Sequence, residues 1–282
     1  MNAHQPPIHT SKDLTEALKS PANKLALAAV ELIRSAGPIE TLERYIAEGL
    51  PYNYRERAGK ARTKFYDKMV LDACFESSLG VIKTENLANS TVATLGPVHQ
   101  STGRDQHFDL LLSAGFPEGN SSWSGNLFKH ILSSCFYEQG SERQKQAILF
   151  AKVLAKHKPD QIQRCACHDY CWVGSPWKLQ VMLDLGADPL NPWAPNPAAP
   201  VIRESTMIDC ALRYVGCSPN AGDTNEGRIE VIRDLLKLGA VPKEKIHIGG
   251  DYKSHHEIAL EEAGLIEPLM ALGAIEIQSK AA

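Results

Sequence analysis

The sequence predicts an all-α fold, a solenoid of about six helix-turn-helix repeats behind an N-terminal capping helix. Three observations carry this prediction. One helix ending recurs five times, the apolar residues before each ending fall at helical spacing, and no segment reads as a strand ladder.

The endings are "RYIAEGLP" (Arg44–Pro51), "LLLSAGFP" (Leu110–Pro117), "VMLDLGADP" (Val181–Pro189), "DLLKLGAVP" (Asp234–Pro242) and "LMALGAIE" (Leu269–Glu276). A helix leaves its last carbonyls unpaired. A glycine just past the end can take the left-handed conformation that turns the chain back onto them. The next residue (Leu50, Phe116, Ala187, Ala240 or Ala274) can cover the last turn, and in four of the five a proline then forbids continuation. Starts recur as well. Ser20-Pro21 and Ser175-Pro176 place a cap before a first-turn proline, and Ser141–Gln144 matches a capping box.

Taken in order, the expected pairs are Leu25–Ser35 with Ile39–Glu48, Asp67–Ser78 with Asp105–Ala114, and Leu127–Tyr137 with Glu142–Lys156. They continue with Gln161–Cys171 and Trp177–Leu185, Thr206–Val215 and Glu226–Leu238, and His255–Ala263 and Ile266–Leu272. Within Glu226–Leu238, Ile229, Ile232 and Leu236 form one stripe, widened by Val231, Leu235 and Leu238. A short helix near Lys12–Lys19 caps the row. One helix pair cannot bury its faces alone, but stacked pairs can. The expected organisation is one domain over 1–282: arm and cap at 1–23, repeats at 24–276, a tail at 277–282.

The chain resembles the ankyrin-repeat family. The resemblance rests on the outer-helix ending at Leu183–Pro189 and Leu235–Pro242, and on "MVLDACF" (Met69–Phe75) and "TMIDCAL" (Thr206–Leu212), which put aspartate near the family's histidine position. The copies are degenerate. Gly186 to Gly239 spans 53 residues and Gly239 to Gly273 spans 34, against a family period of about 33. The resemblance implies a non-catalytic module that binds another protein through loop tips and the concave inner-helix face, as adaptor, inhibitor or neutralising partner.

Insertions between repeats map to a binding face. Pro51–Lys68 carries six basic and two acidic residues from Arg55 on, a local charge of +4, interleaved with Tyr52, Tyr54, Phe65 and Tyr66. An acidic protein surface suits it. Ala187–Ser205 holds five prolines and Trp193, a stiff loop with an aromatic anchor. The expected contact residues are Tyr52, Tyr54, Arg55, Arg57, Trp123, Asp188 and Trp193. Gly80–Gln106 is a third long insertion.

Cys165, Cys167, His168 and Cys171 are the ligand types of a zinc site, which makes a zinc-binding protein or metal-dependent enzyme the alternative function. Their spacing argues against it. Cys165 and Cys167 lie about 200° apart on a helix, and the repeat wants small residues there. Buried structural thiols are the expectation, with no metal and no cofactor. His255-His256 reads as a helix start and Ile248–Gly250 as a turn. The net charge of -3 argues against a general nucleic-acid surface, and no run is long enough to span a membrane. Seven cysteines inside helical patterns fit a reducing cytoplasm.

Overall fold

The computed structural model describes residues 18–58, 64–75, 103–117, 131–132, 134–136, 138–193, 204–217, 223–249 and 253–277. These residues are mostly helical. The chain divides into two compact units, 1–127 with 140–153, and 128–139 with 154–282.

The first unit holds helices α1 (Pro21–Arg34) and α2 (Ile39–Ala47), strands β1 (Asn53–Ala58) and β2 (Lys64–Met69), a 3-10 turn at Val70–Cys74, and helix α3 (Asp105–Ser113). Helix α4 (Glu142–His157) belongs to it as far as Val153. Ser20 caps α1, its Oγ accepting the Asn23 N–H at 3.1 Å, with Pro21 in the first turn. α1 packs against α2 and against the Val70–Cys74 turn, while α3 packs against α2 and that same turn. Phe75, Phe108 and Phe150 close the core as three buried rings with centroids 5.0 to 5.5 Å apart. Edge and tilted contacts of this kind add about 0.5–1.5 kcal/mol each beyond burial.

The second unit holds α5 (Pro159–His168), a 3-10 turn at Tyr170–Trp172, α6 (Pro176–Asp184), α7 (Met207–Tyr214) and α8 (Asn225–Lys237). Strand β3 (Ile246–Ile248), α9 (His255–Glu262), α10 (Ile266–Ala271) and β4 (Ile275–Ile277) complete it. Helix α7 packs on α5, α8 on α6, and α7 on α8; in the expected pairs α5 and α7 are first helices and α6 and α8 second helices. On α8 the buried stripe is Val231, Ile232 and Leu235, so the helix is rotated from the expected setting and Leu238 is exposed. Arg228 is buried at the start of α8. Its Nη1 donates to the carbonyls of Tyr214 and Cys217 at 2.8 and 2.7 Å, answering the C-terminal end of α7.

The five expected endings share one geometry. Gly49, Gly115, Gly186, Gly239 and Gly273 have φ between 69° and 95°. Each glycine N–H bonds a carbonyl three residues back, and the following residue's N–H bonds one five residues back. Examples are Gly239 to Leu236 and Ala240 to Leu235, both 3.0 Å. Leu50, Phe116, Ala187, Ala240 and Ala274 are buried over those turns. The α1–α2 junction repeats the bonds with Ala36 in the left-handed position, φ 48°.

The structure corrects three expectations. Pro51–Lys68 is not a loop: β1 and β2 pair antiparallel from Asn53↔Met69 to Ala58↔Lys64. The helix expected over Asp67–Ser78 is consequently absent from its first residues, which finish β2, and among the described residues of that stretch only Val70–Cys74 turns. Tyr66 and Phe65 favour a pleated surface, and a paired ladder satisfies more backbone groups than a lone turn of helix. Of the turn expected at Ile248–Gly250, Ile248 instead ends strand β3, which pairs parallel with β4 from Ile246↔Ile275, Gly249 follows with φ 91°, and Gly250 lies outside the described residues. Of Leu127–Tyr137, residues 131–132 and 134–135 are helical. The remainder of that stretch that is not described, the cap helix before Leu18, and 80–102 of the third insertion lie outside the described residues.

Gly227 lies in the first turn of α8, where a Cβ would sit 2.3 Å from the Gly174 carbonyl oxygen. Ala in an open helical position stabilises by up to about 1 kcal/mol over Gly. Gly227→Ala is expected to do the reverse, costing about 1–3 kcal/mol through overpacking. Chemical denaturation of the variant measures the sign.

Candidate functional site

The hairpin is rooted by one side chain. Asn23, 7 % exposed on α1, accepts the Arg55 N–H at 2.7 Å and donates through Nδ2 to the Arg55 carbonyl at 3.2 Å. The amide takes the place of a neighbouring strand along β1.

The same device recurs. Gln163 on α5 accepts the Asp188 N–H and donates to the Asp188 carbonyl, both at 2.9 Å. Asp209 on α7 is 1 % exposed. Its Oδ2 accepts the Thr206 N–H and hydroxyl at 2.8 and 2.7 Å, and its Oδ1 accepts the N–H groups of Lys243 and Glu244 at 2.9 and 3.0 Å. A carboxylate with four donors is a satisfied buried charge. In each case an inner helix holds the segment that follows an outer helix, across 25 to 35 residues of sequence. Asn23 and Gln163 escaped the sequence reading, which marked Asp209 only as the aspartate near the family's histidine position. The signal available was a polar residue early in each inner helix, third in α1 and α7 and fifth in α5.

The expected contact residues separate accordingly. Tyr52 is 49 % exposed and meets Phe116 edge-on at 4.9 Å between centroids. Tyr54, expected on the same surface, is 2 % exposed and belongs to the core, because successive strand residues point to opposite faces. Arg55 is half-buried, and Arg57 lies in β1 opposite Phe65. Trp123 lies outside the described residues.

Asp188 is a structural residue. Its Oδ1 accepts the Leu190 N–H at 2.8 Å and its Oδ2 accepts from the Asn191 amide, fixing the turn after α6. Trp193 is half-buried. His168 meets its ring edge-on at 5.0 Å, and the Arg164 guanidinium lies 5.7 Å from its centroid. Its backbone exchanges two hydrogen bonds with Ser205, at 2.9 and 3.2 Å, closing the neck of the proline-rich insertion. Ser205 donates to the Cys167 carbonyl at 3.2 Å and receives a bond from Arg213, which also grips Glu244, Nε to Oε2 at 3.1 Å.

Cys165 and Cys167 are both buried on α5, while Cys171 sits in the following 3-10 turn. Among the described residues no three His, Cys, Asp or Glu side chains converge on a common ion position. Burial pushes the Cys167 thiol up to about 11 and raises those of Cys165 and Cys210 as well. Such thiols stay protonated at neutral pH, the form that does not attack electrophiles. Burial, followed by the charges of Arg213 and Arg164, holds His168 below its usual range, and burial does the same to His256.

Three outcomes follow. Asn23→Ala leaves the Arg55 backbone without its partner and is expected to cost about 1–3 kcal/mol, with faster amide exchange at Arg55 as the local readout. In the native state Cys217, the exposed thiol, reacts with a disulfide reagent at neutral pH, whereas Cys74, Cys165, Cys167 and Cys210 react only on unfolding. His168 and His256 have folded pKa values below the unfolded value of about 6.5, so the unfolded chain binds more protons below that pH. Stability is complete above about pH 6.5 and falls as pH drops toward the folded values; urea melts across pH 5–8 measure it, and His256→Gln flattens the slope.

No protein-family model matches the chain, and neither a curated protein nor a solved structure matches it.

Proposed function

We propose that this chain is a non-catalytic binding module, a stack of ankyrin-like helix pairs that recognises another protein. In the first unit the contact residues are Tyr52, Arg55 and Arg57 of the hairpin; in the second unit Asp188 and Trp193 form a separate contact set at the start of the proline-rich insertion. The partner presents an acidic surface to the hairpin's +4 charge, and binding acts by holding or occluding it. The seven free thiols suit a reducing cytoplasm.

One observation carries the reading. The hairpin is anchored at its root by a buried amide that grips only backbone, so its side chains vary without loss of the anchor. A recognition element fixed in advance pays less ordering entropy on binding. Tyr52, large and half-exposed on Phe116, is the kind of aromatic that dominates interfaces.

The test compares the full chain with a Tyr52→Ala/Arg55→Glu variant in affinity capture from native lysate, followed by titration of the purified candidate. A protein held by the parent chain and bound at least tenfold more weakly by a variant of unchanged melting temperature supports the reading. Capture profiles that do not differ overturn it.

A further inference from the structure

His168 is the last residue of α5, and its imidazole stands edge-on to Trp193 at 5.0 Å between ring centroids. Its Nε2 is enclosed and has no hydrogen-bond partner among the described residues. An enclosed nitrogen that only accepts forgoes one bond to water. One that carries a proton must hide a donor and a positive charge as well. The backbone of Trp193 is bonded twice to Ser205, at 2.9 and 3.2 Å. The residue whose ring lies against the imidazole is therefore also one half of the collar that closes the insertion.

Among the described residues four charged groups act on His168. Arg164 comes from α5 itself, Asp169 follows it, Arg213 comes from α7, and Glu244 from the segment after α8. The Glu244 carboxylate is already held by Arg213, at 2.5 and 3.1 Å, and the Arg164 guanidinium lies 5.7 Å from the centre of the Trp193 ring. Burial first, then the two guanidiniums, outweigh the two carboxylates and disfavour the protonated imidazole.

We propose that His168 is an acid-sensitive clasp: when it takes up a proton, the Trp193 ring leaves it and the bonds between Trp193 and Ser205 open. Ser205 stays on the helical body, because its hydroxyl donates to the Cys167 carbonyl at 3.2 Å and accepts from Arg213 at 2.5 Å. Trp193 is the part that moves. Once it has moved, the imidazole reaches water and keeps its proton, so acid favours the opened collar over the closed one. The clasp needs no partner. Where Trp193 holds another protein, acid also releases that protein, and this second step alone rests on the proposed binding role.

The experiment is hydrogen exchange of the full chain at about pH 7.5 and about pH 5.5, corrected for the pH dependence of the exchange chemistry. Opening at the Trp193 and Ser205 amides is expected to rise roughly two- to tenfold at the lower pH, the ceiling being set by a free imidazole value of about 6.5. The Gly239 and Ala240 amides, bonded within the ending of α8, respond less. His168→Gln removes the rise at the collar. Arg164→Gln keeps the imidazole, takes away one repelling charge and shrinks the rise. A collar equally protected at both pH values, a rise that His168→Gln retains, or one no larger than at Gly239 and Ala240 overturns the inference. A collar that opens in acid while a protein captured by the chain stays bound leaves the clasp intact and removes Trp193 from the contact residues.

Discussion

The last carbonyls of each outer helix have no partner within the helix, and five times the chain supplies one in the same way. A left-handed glycine lets two successive amides fold back, as when Gly239 and Ala240 reach Leu236 and Leu235. Everything downstream depends on that reversal. It sets where each following segment begins, and it buries the next residue, such as Phe116 or Ala240, against the turn just completed. Without it the helices would end ragged, and the segments that follow would have no fixed origin.

The second constraint acts sideways. Asn23, Gln163 and Asp209 each reach from an inner helix to backbone groups that would otherwise be unpaired. Apolar packing of α7 on α5 and of α8 on α6 is tolerant of small slips. A hydrogen bond to one particular amide is not. The apolar contacts therefore provide attraction and the polar ones provide register. The buried Lys178–Asp223 pair contributes in the same manner: its carboxylate lies where a side chain on Gly174 would be, so α8 can approach the start of α6 only with glycine there.

Much of this was legible in the residues. The helix starts, the five endings and most helix ranges follow from capping and breaking rules that are local, and the structure places them within a few residues of expectation. The strands were not legible because they are short or cation-rich. "NYRERA" alternates one buried aromatic with charged neighbours, and charge masked the alternation. Tyr54 shows the consequence, since counting it with the loop aromatics ignored that a strand turns every second residue inward. β3 and β4 have three residues each and exist by pairing with one another across the α9–α10 segment, which no local pattern encodes. The burial of Cys165 and Cys167 on one helix was legible, whereas the Gln163 amide that donates to the Cys167 sulfur at 3.5 Å was not.

The paired bonds between Trp193 and Ser205 have a broader implication. They bring the two ends of the insertion to a fixed separation, independently of what lies between them. The cost of closing such a segment grows only slowly with its length. Lineages, or engineers, can therefore exchange its contents or graft a foreign peptide at that collar while the helical body is left unaltered, which turns the neck into a natural socket for diversification.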